Sequence, residues 1–298
     1  MENFILIVVA IAIGYGLKRL HILSEDDAGI LNKFVIFISL PAMILLQIPK
    51  LTFSMEVMIP VIIAWVVMAL TAMITRFISH IFHFSKEITG ALMLVAVLTN
   101  SSFLGIPIIN AYLGDEALPF VLVYDQLGTF LALATYGIFV AAYYSNKSEI
   151  NVQIMVAKIL TFPPFISLVV ALFFIGTPFP DTISKVLSAL ADTIVPLALV
   201  AVGLQLQLKL PGHEVKPFGI ALFIKLVIAP MIALLIVKLA GWTSLAADVS
   251  VMEAGMAPMI TAGAMASLSG LAPRLSSAIV CYGILISFAT TAVLFKLL

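Results

Sequence analysis

The sequence has very little charge for its length. Of its 298 residues, 10% are Asp, Glu, Lys or Arg and 63% are hydrophobic, whereas a soluble domain carries about 25% charged residues. A soluble fold of this length cannot hide so much apolar surface, because most of any folded surface must still meet water. The composition therefore excludes a soluble fold and predicts an integral membrane protein. The 15 basic and 15 acidic residues cancel, so net charge favours no nucleic-acid partner.

The motifs of several functional classes are absent as well. No G-x-x-x-x-G-K stretch occurs, which argues against ATP-driven pumping on this chain. The single cysteine, Cys281, lies in an apolar run and excludes an intrachain disulfide. The four histidines have no metal-ligand companions in sequence, and the pair His80 and His83 favours an interfacial helix face over a metal site. No nucleophile and base pair is evident, so we expect neither an enzyme nor a resident organic cofactor.

Long apolar runs fill the rest of the chain. A membrane-spanning helix needs about 20 mostly apolar residues, and cutting the sequence at its polar breaks predicts ten such helices with short connections. Nothing is left over for a soluble domain, so the expected fold class is an all-α membrane protein. The predicted spans are 2–18, 28–48, 56–80, 87–112, 117–144, 152–175, 183–207, 217–240, 247–268 and 275–297.

The basic residues near the loops are unevenly distributed between the two sides of the membrane. Ten Lys and Arg residues lie on the side of the first loop, which contains Lys18 and Arg19, and four lie on the other side. Because cytoplasmic loops carry an excess of Lys and Arg, we expect the first loop in the cytoplasm. With ten spans in the cytoplasmic (inner) membrane, both termini then lie outside, on the side away from the cytoplasm.

The ten predicted helices divide into two halves of five, 1–148 and 149–298. An odd number of helices per half forces the second half to enter the membrane upside down. Inverted repeats with helices broken at matching places are typical of alternating-access transporters, with the binding site at the breaks. Prolines are also common in membrane helices, so a chance match stays open as the alternative. The similar segments are 38–42 and 193–197, and 105–109 and 255–260.

The spacing of prolines agrees between the halves. Pro41 and Pro107 are 66 residues apart, and Pro196 and Pro258 are 62 apart. A proline inside a helix cannot donate its backbone hydrogen bond and frees the carbonyl four residues earlier. In lipid such a carbonyl must be buried in protein or face a cavity. Breaks at these prolines would offer carbonyls to a cation and helix N-termini to an anion, although a simple kink is the alternative.

Around the predicted breaks the sequence resembles a known family. Residues 98–107, LTNSSFLGIP, resemble the N-T-x-F-L-G-x-P signature of the auxin efflux carrier family, which includes plant PIN carriers and bacterial permeases for small dicarboxylates. Residues 31–42 are similar to the family pattern L-N-x-x-V-x-x-x-x-L-P-A, and the length and helix layout match over the whole chain. The resemblance implies the ten-helix fold of bile-acid sodium symporters. There, helices 1, 2, 6 and 7 form a scaffold, helices 3–5 and 8–10 form a moving core, and broken helices 4 and 9 cross in that core.

One short segment resembles the symporters more than the auxin carriers. Residues 253–256, EAGM, look like the E-x-G-M stretch in the ninth helix of bile-acid symporters, whose glutamate binds sodium. The likeness to PIN carriers instead implies a proton or no coupling ion. The resemblance therefore leaves sodium, a proton and uncoupled transport as alternatives.

Few polar residues lie at membrane depth, and they gather near the breaks. A carboxylate at that depth is costly and usually marks an ion or proton path, which makes Glu253 the strongest candidate, with a neutral glutamate bonded to a neighbouring helix as the alternative. Asp125 and Thr129 share one face of a helix. Lys225 could neutralise a carboxylate or attract an anionic substrate, and a salt bridge to Asp125 is one alternative. The predicted sodium ligands are Asn100, Ser101, Asp125, Thr129 and Glu253.

The polar and helix-breaking residues at the breaks also form the predicted substrate site. The function expected from these patterns is secondary transport of a small organic anion, most plausibly a carboxylate, by elevator-like movement of the core. A channel and an intramembrane enzyme acting on lipid are the rival classes. Membrane lipid is an expected partner, and a homodimer is a possible assembly. The predicted substrate-binding residues are Asn100, Ser102, Gly105, Pro107, Gly255, Pro258 and Lys225.

Overall fold

The computed structural model describes residues 2–24, 27–51, 55–145, 153, 160–177, 179–205 and 214–298. Within these ranges the elements are helical and no strand occurs. The helices are α1 Glu2–Arg19, α2 Ala28–Lys50, α3 Met55–Ile81, α4 Lys86–Val95, α5 Ser101–Leu113, α6 Asp115–Tyr144, α7 Pro163–Leu172, α8 Asp181–Gln205, α9 Val215–Ala240, α10 Leu245–Ala254, α11 Ile260–Leu268 and α12 Pro273–Phe295.

Six of the described helices are long and apolar enough to cross a membrane by length and composition, namely α2, α3, α6, α8, α9 and α12. Two further apolar helices, α5 and α7, are shorter. This content makes the chain a multi-pass membrane protein with an all-helical fold. Residues 152 and 154–159 of the predicted span 152–175 lie outside the described residues, as does the predicted boundary between the halves at 148 and 149.

The helices pack in two groups. In the first group α1 lies along α8, and α2 packs against both α7 and α8. In the second group α3 packs against α6, α9 and α10, while α4 contacts α11 and α12. A single large core of buried apolar side chains runs through both groups. The paired helices of the first group approach especially closely: a Cβ added at Gly14 would lie 2.2 Å from the Val200 carbonyl oxygen.

Two helices of the second group are interrupted. The chain leaves the helix between α4 and α5 over residues 96–100, and again between α10 and α11 over residues 255–259. Pro258 lies inside its interruption, as its missing N–H predicts. Pro107 does not, because it follows the interruption and occupies the second residue of the α-helical segment Ile106–Leu113.

The position of Pro107 has a local cause. The preceding turn, Ser101–Gly105, is π-helical, and the Gly105 N–H donates to the Asn100 carbonyl at 3.0 Å. A widened turn carries one extra residue, so the backbone can pass the proline ring without leaving the helix. The expectation that Pro107 itself marks the break is therefore wrong by several residues, and the departure from helix occurs around Thr99.

Candidate functional site

The two interruptions pair with each other through their backbones. Thr99 faces Pro258 in an isolated antiparallel bridge. The Asn100 N–H donates to the Ala257 carbonyl at 2.9 Å, and the Met259 N–H donates to the Leu98 carbonyl at 3.1 Å. Unwound backbone deep in a membrane protein needs such partners, because lipid supplies none. The pairing joins the ends of four helices, α4, α5, α10 and α11, at one point.

Lys225 reaches this point from α9. Its side chain is 1% exposed, and its ammonium donates hydrogen bonds to the Thr99 hydroxyl and, at 3.3 Å, to the Ala254 carbonyl. Ala254 lies four residues before Pro258, so the acceptor is the carbonyl that the proline frees. One acceptor belongs to each interruption. The ammonium therefore links the two broken helices.

Asp125 forms a second polar cluster, on α6. Its Oδ1 accepts a hydrogen bond from the Ser101 hydroxyl at 2.5 Å and another from the Ser102 hydroxyl. Its Oδ2 accepts from the Gln126 side-chain amide at 2.6 Å. Three neutral donors thus satisfy the carboxylate, rather than the salt bridge to Lys225 that was one alternative. The cluster ties α6 to the first turn of α5.

Glu253 is the most deeply buried acidic residue of the site. It is fully buried at the end of α10, and within the described part of the chain neither carboxylate oxygen has a hydrogen-bond partner. The carboxylate lies against Gly105, where an added Cβ would be 2.4 Å from Oε1. Glycine at position 105 therefore allows the carboxylate to approach the α5 backbone. The alternative drawn from the sequence was a neutral glutamate hydrogen-bonded to a neighbouring helix. No described residue makes such a hydrogen bond to Glu253.

Two more buried polar atoms near the pairing have no partner among the described residues, the Asn100 side-chain nitrogen and the Gln126 side-chain oxygen. Buried polar atoms without partners are rare in folded proteins, and each one marks strain, chemistry or a site for a bound group. Here the orphan atoms include a carboxylate, an amide donor and an amide oxygen. Such a set can bind a cation, a proton or a polar ligand.

Thr129 lies one helical turn from Asp125 but outside its hydrogen-bond cluster. Together with Thr99, Tyr124 and Gly128 it lines a small cavity of about 20 Å³ between α3 and α6. A void of this volume holds about one water-sized group. The five predicted cation ligands therefore lie in three places. Ser101 and Asp125 bond each other, and Thr129 lines the cavity. Asn100 and Glu253 have side-chain atoms without partners among the described residues.

The predicted substrate residues are also divided by the structure. Ser102 is half-buried and donates to Asp125. Gly255 packs against α12, since a Cβ there would be 2.6 Å from a methyl group of Leu294. Pro258 lies against Gly283 of α12, where an added Cβ would be 2.4 Å from the proline ring. Gly255 and Pro258 thus shape the pairing by packing.

Three residues of the site are missing from the predicted sets, namely Thr99, Tyr124 and Gln126, which donates to Asp125. Thr99 stands opposite Pro258 and accepts from Lys225, and Tyr124 is 2% exposed beside Thr99 and Glu253. Thr99 lies inside the family signature and next to Asn100, which was a signal that could have found it. Tyr124 precedes Asp125 in the sequence, yet an aromatic residue in an apolar helix gives no such signal.

The buried charges of the site do not balance. Asp125 and Glu253 contribute two carboxylates, and Lys225 contributes one ammonium, all three nearly or fully buried. An unpaired buried charge costs several kcal/mol, so one further positive charge, either a cation or a proton, would neutralise the cluster. No group of three or more His, Cys, Asp or Glu side chains that could hold a metal ion occurs among the described residues.

A multi-pass helical protein whose broken helices pair beside buried charges has the features of a membrane transporter. The sequence model of the family described as membrane transport protein matches residues 1–295. The chain therefore belongs to this transporter family, and its resemblance to the auxin efflux carriers is confirmed.

Two relatives are similar to this chain over most of their length. An uncharacterized transporter of Methanocaldococcus jannaschii is 29% identical over 265 residues, covering 86% of this chain and 85% of the relative. An uncharacterized transporter of Methanothermobacter thermautotrophicus is 27% identical over 273 residues, covering 89% of this chain and 87% of the relative. A transporter family agrees with the prediction that the chain is not an enzyme.

Proposed function

We propose that this protein is a secondary transporter of a small organic anion of the carboxylate class, and that the anion binds where the two interruptions pair. The observation that carries the proposal is the antiparallel pairing of residues 98–100 with 257–259 next to the buried Glu253. A bundle of continuous helices has no unwound backbone. Interrupting a helix inside the membrane is unfavourable, and transporters use such interruptions to bind substrate and ions.

The local chemistry favours an anion. The helices α5 and α11 both begin at the pairing, so their N-terminal N–H groups and positive dipole ends meet there. The Asn100 amide has a donor without a partner among the described residues, whereas the Ser102 hydroxyl, two residues further on, already donates to Asp125. Lys225 adds a positive charge behind them. A carboxylate accepts several hydrogen bonds at once, which suits this set of donors.

For the coupling ion, we favour sodium. Asn100, Ser101, Asp125, Thr129 and Glu253 supply amide, hydroxyl and carboxylate oxygens, which a hard cation prefers. The charge deficit of the cluster supports one added positive charge. The competing proposal makes Glu253 a proton carrier, and its two oxygens without hydrogen-bond partners among the described residues favour that case. Both ions neutralise the same carboxylate, so the choice between them is an experimental one.

The movement proposed is of elevator type. The first group of helices, α1, α2, α7 and α8, would be the fixed scaffold, and the remaining helices would carry the paired interruptions through the membrane. The more extensive contacts within the first group, between α1 and α8 and between α2 and both α7 and α8, support this division. We further propose ten spans in two inverted halves, with both termini outside the cytoplasmic membrane. The near coincidence of the described helices with most of the predicted spans supports that count.

A ligand screen followed by a flux assay tests the proposed function. Purified protein is heated with a panel of small carboxylates, with and without sodium, because a ligand of the folded state raises the apparent melting temperature. The carboxylate with the largest effect is then loaded into proteoliposomes. Saturable uptake with counterflow is expected. Flux that rises linearly with concentration and shows no counterflow would instead identify a channel.

A further inference from the structure

Lys225 occupies a position that belongs to both broken helices. Its ammonium binds the Thr99 hydroxyl of one interruption and the Ala254 carbonyl at the start of the other. The side chain is 1% exposed and enters from α9, which is π-helical at Ile224–Ile228 and continuous through Val215–Ala240. The lysine is thus anchored on an intact helix, while its charged end sits on the broken ones.

The acceptors of this ammonium are the groups that would otherwise bind a metal cation. Carbonyl oxygens released by unwound helix coordinate alkali ions in transporters with broken helices, and the Ala254 carbonyl is released by Pro258. A threonine hydroxyl is a second neutral oxygen of the same kind. An ammonium presents one positive charge and up to three hydrogen-bond donors, so it can take the place of a monovalent ion on these oxygens.

We propose that Lys225 is a tethered cation that fills one of two cation positions at the pairing. The charge count then sets a limit on coupling. With Asp125 and Glu253 each contributing one negative charge and Lys225 one positive charge, a single exchangeable cation or proton neutralises the site. Before the anionic substrate binds, the site therefore accepts a single coupling ion. This limit rests on the proposed function, but the tethered-cation role does not.

The first test removes the ammonium and offers a substitute. Lys225→Ala leaves a space next to the Thr99 hydroxyl, and Lys225→Met fills that space with an apolar chain. Removing one member of a buried charge cluster is strongly destabilising, so both variants should lose roughly 5–10 °C in apparent melting temperature. Methylammonium chloride should restore part of the loss in Lys225→Ala, but should leave wild type and Lys225→Met unchanged. N-methylglucamine chloride at equal concentration controls for ionic strength.

A matched control comes from the same helix. Lys238 lies near the C-terminal end of α9 and is exposed. Lys238→Met should therefore change neither the melting temperature nor its response to methylammonium. The tethered-cation role is rejected if Lys225→Ala is as stable as wild type. It is equally rejected if methylammonium has no effect on Lys225→Ala beyond that of N-methylglucamine.

The second test covers the case in which the single variants do not fold. Lys225→Met alone leaves two buried carboxylates without a cation, whereas the double variant Lys225→Met/Glu253→Gln restores the wild-type net charge. Groups in one charge cluster act non-additively, so the double variant should be recovered in higher yield and melt higher than Lys225→Met. A double variant that is no better than the single one overturns the proposal, including when neither is recovered from the membrane.

These measurements need no substrate. If no carboxylate stabilises the wild type while methylammonium still rescues Lys225→Ala, the proposed substrate class fails and the tethered cation stands. If carboxylates stabilise and are transported while Lys225→Ala shows no rescue, the proposed function stands and the tethered cation fails.

Discussion

Glycine creates a close approach in two regions of this protein, with different consequences. Between α1 and α8, Gly14 and Gly203 bring backbone against backbone, and an added Cβ at either would lie within 2.3 Å of a carbonyl oxygen of the other helix. Between α5 and α10, Gly105 brings backbone against the Glu253 carboxylate. The first contact is apolar packing of a kind common between membrane helices. The second makes room for a buried charge.

The two regions therefore differ in what they bury: the contact between α1 and α8 buries apolar groups, and the paired interruptions bury charged groups. The helices α1 and α8 pack along much of their length, and no charged residue is buried between them among the described positions. At the paired interruptions, by contrast, three charged residues are buried. Glu253 lies just before one interruption, Lys225 donates to Thr99 in the other, and Asp125 accepts from the first turn of α5. Four substitutions and one labelling experiment test this contrast, in order of decreasing expected effect.

The largest effect is expected from Gly14→Leu. Its side chain would collide with the Val200 carbonyl, a backbone atom that cannot rotate away, and such overpacking costs about 3 kcal/mol or more. We expect most of the protein to be lost from the detergent-soluble, monodisperse fraction on size-exclusion chromatography. Gly16→Leu is the matched control on the same helix, because an added Cβ at Gly16 meets no atom within 4 Å. Equal loss in both variants would refute the close packing of α1 and α8.

A smaller loss of stability, but a full loss of transport, is expected from Gly105→Ala. The methyl group would lie 2.4 Å from Glu253 Oε1, so the carboxylate must move, at a cost of about 1–3 kcal/mol. The variant should remain folded and lose ligand-dependent stabilisation. Gly219→Ala in α9 is the control, since position 219 has open space around it. A Gly105→Ala protein with wild-type uptake would show that transport does not require the close approach of the Glu253 carboxylate to the α5 backbone.

Glu253→Gln is expected to change ion dependence more than stability. The substitution removes one of two buried negative charges and leaves the cluster neutral, so the variant should melt at or above the wild-type temperature without added ions. In the sodium-coupled case, sodium raises the melting temperature of wild type and not of Glu253→Gln. Uptake that runs equally well on a pH gradient without sodium would reassign Glu253 to proton coupling. The exposed Glu116→Gln serves as control.

A moderate loss of activity is expected from Pro258→Ala. Alanine restores a backbone N–H and permits the helix to continue through the interruption, which would compete with the pairing to residues 98–100. We expect reduced uptake by protein that is still inserted and folded. Pro107→Ala should have the weaker effect of the two, because Pro107 lies beyond the interruption. The reverse order would place the functional break at Pro107.

The smallest effect on the protein is expected from single cysteines used as topology probes. In a Cys281→Ala background, Glu116→Cys should react with a membrane-impermeant maleimide added from outside, whereas Glu87→Cys should react only after the membrane is opened. Both positions are exposed, so access through the membrane decides the result. Labelling of Glu87→Cys alone would invert the proposed orientation of both regions.

Several features of the fold could be read from the sequence because they are local. Apolar runs separated by polar breaks predicted most helix bounds to within a few residues, since spanning length follows directly from bilayer thickness. Pro258 marked one interruption for the same reason, as a missing N–H acts within one turn. Pro107 misled the prediction, because a π-helical turn absorbed its effect and moved the break to the residues around Thr99.

The composition by itself determined that this chain is a multi-pass helical membrane protein, and the signature around Asn100 determined its family. The deep position of Glu253, Asp125 and Lys225 also followed from their places within apolar runs. The partners of these residues were decided by tertiary structure alone: Lys225 binds Thr99, which lies 126 residues away, and Asp125 is satisfied by two serines of α5. Hydrophobic periodicity reports how each segment meets lipid, whereas hydrogen-bond partners depend on which helix ends meet in space.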